Sequence, residues 1–311
     1  MQTAVATKVM SALSEKLDGD ITVEKIHFKP FTTLVLKNTL IIDKHPVKHP
    51  TDSMIHPVDT FFRAEYIIAK FSIDGLFNKE SLRIDMAYID NAQMNLTLED
   101  YPEQKKDQNY NNLSRIFRLE KPEVRKVPKD REIFKIRKIR ISDMGFAMKN
   151  MSSNPITYHG GGIDWNDLDI KNIELDAEDM RFRNGIMYGK AESLSFKEKT
   201  GFNCKEISGK TRVGQGKTII EDLCITDDWS DLRLPLFMMS YRNVDDFKGF
   251  IENVKLDASI SSSTLDFRTL ANFAPQLSSN HLKATISGSM SGTVEDFTVK
   301  DIRISSHAGG F

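Results

Sequence analysis

The residues best able to do chemistry in this 311-residue chain form a few small groups. Gly214-Gln215-Gly216-Lys217-Thr218 ends like a phosphate-binding loop, in which glycine backbone and a lysine cradle phosphate oxygens. That loop needs a glycine five residues before Gly216 and a helix after it. Thr211 stands there, and Ile219-Ile220 opens a strand-like stretch, so the segment reads as a glycine-rich turn between strands. His45, His49 and His56 share one stretch and could in principle hold a metal. Pro46, Pro50 and Pro57 separate them, and no thiol or carboxylate stands beside them at a ligand spacing, so a solvated loop is expected. Asp164, Asp167 and Asp169 lack the glycine and the closing glutamate of a calcium loop and read as turn residues. Cys204 and Cys224 make no disulfide framework and read as two separate small apolar residues. Asn95-Leu96-Thr97 is a glycosylation triplet inside a strand pattern. No nucleophile elbow or dinucleotide fingerprint is present. The expectation is a protein that is not an enzyme and uses no cofactor or metal.

Composition points the same way. Net charge is −1, with 28% charged residues spread along the chain, which gives no global argument for nucleic acid. Residues 121–140 carry nine Lys/Arg against three acids. Across 134–141 the bases alternate with apolar residues, the pattern of a solvated strand face. No run of 18 apolar residues occurs, and no signal peptide is recognisable. The chain reads as a segment of something longer.

The elements are mostly strands, and one phrase recurs in them: apolar–x–polar–apolar–x–apolar. Ile170-Lys171-Asn172-Ile173-Glu174-Leu175 and Ile251-Glu252-Asn253-Val254-Lys255-Leu256 are clear copies. Ile220-Glu221-Asp222-Leu223-Cys224-Ile225, Val299-Lys300-Asp301-Ile302-Arg303-Ile304 and Ile136-Arg137-Lys138-Ile139-Arg140-Ile141 share the form, and weaker copies start at Leu36 and Met86. Positions four and six share one strand face, whereas position one would point the other way in a regular strand. A bulge or bend at the polar third position restores a single apolar face. Repetition at this scale predicts an extended array of bent strands.

Around these strands, 3–17 reads as a helix ended by Asp18-Gly19-Asp20. Residues 99–131 read as an irregular, partner-facing insertion, with a short helix around Leu113, Ile116 and Phe117. Asn184-Gly185 predicts a hairpin turn. A helical turn near 245–251 and a helix over 265–273, stopped by Pro275, are expected further on. The organisation expected is an N-terminal helix at 1–20, β repeats at 21–243 and a further β segment with short helices at 244–311. The fold class expected is mainly β, one elongated unit: a closed sandwich burying every apolar face would be a plain globular core, whereas an elongated, strongly curved antiparallel sheet forming an apolar groove would leave those faces lining it. A groove lined without polar anchors suits acyl chains, which gain about 0.8 kcal/mol per buried methylene. The candidate liners are Ile67, Phe71, Ile73, Leu82, Ile84, Met94, Leu96, Ile139, Ile141, Ile173, Leu175, Leu223 and Ile225.

Four stretches also resemble a known family. Gln2-Thr3-Ala4-Val5-Ala6 through Leu13-Ser14-Glu15-Lys16-Leu17, running into Ile21-Thr22-Val23-Glu24-Lys25-Ile26-His27-Phe28 and residues 34–43, is similar to the segment after the membrane anchor of AsmA-like proteins of the TamB family. Ala64-Glu65-Tyr66-Ile67, Leu76-Phe77-Asn78-Lys79 and Leu82-Arg83-Ile84 resemble that family's strand–turn–strand unit. Asp266-Phe267-Arg268-Thr269-Leu270-Ala271-Asn272-Phe273-Ala274-Pro275 looks like a helix of its Bacteroidetes-like form. The resemblance implies a periplasmic β-groove protein held to the inner membrane by an anchor that this sequence lacks. It implies phospholipid acyl chains as the partner, and lipid transport between the membranes with outer-membrane biogenesis as the role. It also implies an outer-membrane barrel-assembly partner, met through regions that this sequence lacks. A scaffold that pairs strands with client barrel proteins is the alternative.

Overall fold

The computed structural model describes residues 17–29, 32–44, 60–72, 82–100, 110–117, 132–153, 155, 158, 160–214, 216–242, 246, 250–279 and 282–306. The helix expected at 3–17, the three histidines and Ile73 lie outside the described residues, apart from Leu17 at the helix end.

The described strands are β1 (Gly19–Lys29), β2 (Thr33–Asp43), β3 (Thr60–Phe71), β4 (Leu82–Glu99), β5 (Tyr110–Asn111), β6 (Glu132–Asn150) and β7 (Asp167–Arg183). They continue as β8 (Ile186–Glu198), β9 (Asn203–Gly214), β10 (Lys217–Thr226), β11 (Asp231–Ser240), β12 (Lys255–Asp266), β13 (Lys283–Gly292) and β14 (Phe297–Ser306). They form one mainly antiparallel sheet that does not close. Thirteen strands follow one another in chain order, and β5 pairs with β4 off that path. Three short helices are described: α1 (Asn112–Ile116), α2 (Phe250–Asn253) and α3 (Phe267–Ala271). The chain divides into two compact units. One holds Met1–Pro128, Ile136–Tyr158 and Asp164–Glu174, and the other holds Lys129–Lys135, His159–Ile163 and Leu175–Phe311.

The recurring phrase has a backbone cause. Asn38, Asn172, Asp222 and Asp301 occupy its third position, and all four have positive φ, between 49° and 53°. Asn and Asp tolerate this left-handed conformation better than other residues with a Cβ, because their short polar side chains bond locally. The bend carries position one onto the face of positions four and six. In β2, Leu36, Thr39 and Ile41 are all buried, although Leu36 is three residues from Thr39. Three copies differ. The bends of β4 and β6 lie at Asn91 and Asp143, not at Tyr88 or Lys138, because those third positions lack a side chain suited to left-handed backbone. Asn253 ends helix α2, so that copy begins outside a strand.

In the second unit the bends line up across strands. Glu221 pairs with Lys210 and Cys224 with Ser208, so Asp222 and Leu223 together face Gly209. Likewise Asp301 and Ile302 face Gly288. Gly209 and Gly288 have φ of +155° and +140°. A Cβ on Gly288 would lie 2.9 Å from the Ile302 Cα and 3.0 Å from the Lys300 carbonyl oxygen. Glycine is therefore the residue that can face such a bulge. On its other side Asp222 faces Pro235, set by the pairs Glu221–Leu236 and Leu223–Leu234. A proline inside a sheet belongs at such an irregularity, where its missing N–H costs little.

The bend is therefore a backbone device, and its removal has a defined effect. Asp222→Ala should lower stability by about 1 kcal/mol, the cost of a left-handed residue without a local side-chain bond. Asp222→Asn and Asp222→Gly should stay close to the parent. Urea unfolding of the three variants checks the order. Equal loss in all three would assign the effect to the exposed Lys210–Asp222 ion pair, 3.0 Å long, instead of the backbone.

The turns follow from sequence as well. Asn184 and Gly185, with φ of 55° and 76°, join β7 to β8. Both positive angles are what a tight two-residue hairpin needs. Gly214 and Gly216 stand at the β9–β10 connection, with Gly216 at φ +74°. Strands β11 and β12 pair antiparallel.

Helix α1 lies where a short helix was expected within 99–131, and most of that stretch lies outside the described residues. Residues 110–117 turn back onto the sheet, and Ile116 is fully buried with Leu17, Ile41 and Phe61. The reason is hydrogen bonding as much as packing. Asn112 accepts from the Thr97 N–H at 3.0 Å and donates to the Asn95 carbonyl at 2.9 Å, continuing the ladder of β4 with a side chain. Asn111 caps the helix by accepting from the Ser114 N–H at 2.8 Å.

Candidate functional site

Cross-strand pairing assigns side chains to faces, because directly paired residues point the same way. In the first unit Ile26, Leu36, Ile67 and Ile89 form one row across β1–β4, and Phe28, Leu34, Ala69 and Ala87 form the next. Phe71 pairs with Ile84 on that face. Beyond the bends the face continues through Thr39, Ala64 and Ala92, with Phe62 opposite Met94. The reverse face is mixed: Lys25 faces Lys37, which faces Tyr66, which faces Asp90, and beside them His27, Val35, Ile68 and Tyr88 form a row. There the Lys37 ammonium lies 5.4 Å from the Tyr66 ring centre.

The second unit repeats the arrangement. Ile220, Phe237, Ala258, Met290 and Val299 form a row across β10–β14. Beyond the bulges, Leu194, Ile207, Ile225 and Leu232 form another row across β8–β11. Its reverse face pairs Arg212 with Glu221 at 3.0 Å and Lys210 with Asp222 at 3.0 Å.

Each sequence-derived candidate can now be placed. Ile67, Phe71 and Ile84 lie on the apolar face of the first unit, as do Met94 and Leu96 beyond the bend. All five are partly exposed. Leu82 opens β4, and nothing is described of its side chain. Ile139 and Ile141 share one face of β6, and Ile173 and Leu175 share one face of β7; all four are partly exposed. Leu223 is buried at 6% exposure, and Ile225 is partly open. The same faces also carry Ile26, Leu36 and Ile89, and in the second unit Phe237, Met239 and Met290, which were not among the candidates. Strand β11 hides them because its apolar phase changes at Pro235, and β13 hides them among serines.

Short polar networks close the ends of both units. In the first, Arg115 bridges two acids, the buried Asp43 and the part-buried Glu99. Its Nε lies 3.3 Å from Asp43 Oδ1, and its Nη1 and Nη2 lie 2.7 and 3.0 Å from the Glu99 carboxylate. A second, shorter contact joins Arg115 Nη2 to Asp43. In the second, Asp227 accepts from the Trp229 and Ser230 N–H groups at 2.6 and 2.7 Å and from the Thr269 hydroxyl at 2.6 Å. The Thr269 proton is thus committed, so the Ser230 hydroxyl donates to Thr269 at 2.7 Å and accepts from the Asp266 N–H at 2.9 Å. Asp266 caps α3 and pairs with Arg268 at 2.6 Å. The Arg268 bond holds the Asp266 carboxyl below the usual carboxylate range. Arg268 in turn lies 3.5 Å from the Trp229 ring centre. These groups are satisfied by one another and position the sheet ends.

Among the described residues no group of three or more His, Cys, Asp or Glu is placed to hold a metal, and no helix is long and apolar enough to cross a membrane. The two cysteines are free. Burial pushes the Cys204 thiol up to about 11, so the folded protein holds it protonated until strongly alkaline pH. At pH 8, iodoacetamide should therefore modify Cys224 and spare Cys204 until denaturant is added. Peptide mass mapping checks this, and equal native labelling would contradict the buried placement of Cys204.

No protein-family model matches the chain, and a search of curated proteins finds no match.

Proposed function

We propose that this chain binds acyl chains along the apolar face of its sheet, as a periplasmic segment of an AsmA/TamB-like protein that moves phospholipid between inner and outer membranes. One observation carries the reading. Rows of Ile, Leu, Phe and Met stay partly open along a single unclosed sheet, and among the described residues no second sheet covers them. A five-strand row such as that from Ile220 to Val299 spans about 19 Å at the usual strand spacing, the scale of an extended acyl chain. Ten buried methylenes would supply about 8 kcal/mol before the cost of ordering the chain, enough for reversible binding.

The bends support this reading because they keep one continuous apolar side along strands of 10–19 residues. In this reading the groove is formed by bent strands, binding is passive burial, and the protein is not an enzyme. Its other partners are the inner membrane, through an anchor elsewhere in a longer protein, and an outer-membrane barrel-assembly protein. Lipid extraction and mass spectrometry of the purified chain test the proposal. The expected result is co-purified phospholipid, with uptake of a fluorescent phospholipid after delipidation. A delipidated protein that takes up none would overturn it, and trapped client polypeptide without lipid would favour the strand-pairing scaffold.

A further inference from the structure

We infer that the strand-end turns of the second unit dock on the headgroup region of a bilayer carrying anionic lipid, with Trp229 as the inserted residue. Neighbouring strands from β8 to β13 run antiparallel, so the connections 199–202, 227–230 and 267–282 share one end of the sheet. The segment around α3 ties the three together. Phe273, just past the helix, meets Phe202 of the first connection edge to face at 5.5 Å, and Thr269 and Arg268 hold the second. Trp229 and Phe273 are 44% and 52% exposed on this rim.

The position of Trp229 is set by buried structure. The Asp227 bonds to the Trp229 and Ser230 N–H groups fix the turn, and the Arg268 guanidinium stacks on the indole. Asp227, Ser230, Asp266 and Thr269 are at most 6% exposed, so a buried polar scaffold presents a large aromatic ring to solvent. Indole joins a broad apolar surface to one N–H donor, which suits the boundary between acyl chains and headgroups. The stacked guanidinium adds a cation beside it.

Charge selects the occupant. Three acids at this end, Glu198, Asp227 and Asp266, are buried. The outward acids at or beside these turns, Asp228 and Asp231, are already paired, with Lys205 at 3.1 Å and with Arg233 at 3.3 Å. Lys197, Lys199 and Lys283 are exposed, and residues 267–283 contain no acid. An end that keeps its bases outside and most of its acids inside is complementary to an anionic lipid surface. This contact concerns the strand ends and does not rest on acyl chains lying along the apolar face.

The chain has two tryptophans, and Trp165→Phe, at an exposed position, leaves Trp229 as the sole indole. With vesicles of phosphatidylcholine carrying about one third phosphatidylglycerol, its fluorescence should move to shorter wavelength and be quenched by lipid brominated on the acyl chain. Pure phosphatidylcholine vesicles should give little of either effect. Lys197→Gln with Lys199→Gln should weaken binding roughly tenfold with an unchanged circular dichroism spectrum. An indole that stays in water on anionic vesicles would overturn the inference. So would equal binding to both kinds of vesicle, or a lysine variant that binds like the parent. A delipidated chain that takes up no fluorescent phospholipid yet docks through Trp229 leaves this inference standing while the acyl-chain proposal falls. Uptake with Trp229 still in water does the reverse.

Discussion

Arg115→Met is expected to destabilise the first unit by about 3–5 kcal/mol, the largest effect of any single change considered. Arg115, Asp43 and Glu99 have side chains only 8%, 4% and 13% exposed, so deleting the guanidinium leaves two carboxylates close together without a countercharge. Methionine fills the volume, which separates loss of charge from loss of packing. A unit of this size should melt about 10 °C lower. The triple variant that adds Asp43→Asn and Glu99→Gln should recover much of the loss, because it removes the stranded charges. A loss under 1 kcal/mol in Arg115→Met would mean that water reaches this site and that α1 does not seal the sheet end.

Ile67→Asp is the second large effect, and it acts on binding. Ile67 sits between Leu36 and Ile89 on the apolar face of the first unit and is partly open to solvent. A carboxylate there removes contact with about two methylenes of a bound chain, roughly 1.6 kcal/mol, and adds the cost of desolvating its own charge. Affinity for a fluorescent phospholipid should fall at least tenfold, with unfolding shifted far less than in Arg115→Met. Ile68→Asp, on the reverse face beside Val35 and Tyr88, should leave affinity within about twofold. Equal losses at both positions would disconnect binding from the apolar face.

Much of this architecture was legible because its signals are local. Alternation marks β3 and β8, and Asn184-Gly185 marks a turn that needs two positive φ angles. The polar third position of the phrase gave the bends at Asn38, Asn172, Asp222 and Asp301, since few residue types accept left-handed backbone. What stayed hidden depends on pairing between distant strands. Nothing in Pro235 or Gly209 alone says that both flank Asp222; that follows from the register of β9, β10 and β11. Arg115 carries no local signal, because its partners Asp43 and Glu99 are 72 and 16 residues away. The apolar face was readable strand by strand where the phrase occurs. It was unreadable in β11 and β13, where phase changes and serines mask Phe237 and Met290.

The central claim is that one face of the sheet meets acyl chains and the other does not. Adjacent residues on β3 test it most directly, since Ile67 and Ile68 differ in little but the face they occupy. A photo-crosslinking amino acid placed at each position in turn, with irradiation in a Gram-negative envelope and mass spectrometry of the adducts, reads the contact itself. The account predicts phospholipid adducts at position 67 and essentially none at position 68. No adduct at 67, or equal adducts at both, would contradict it.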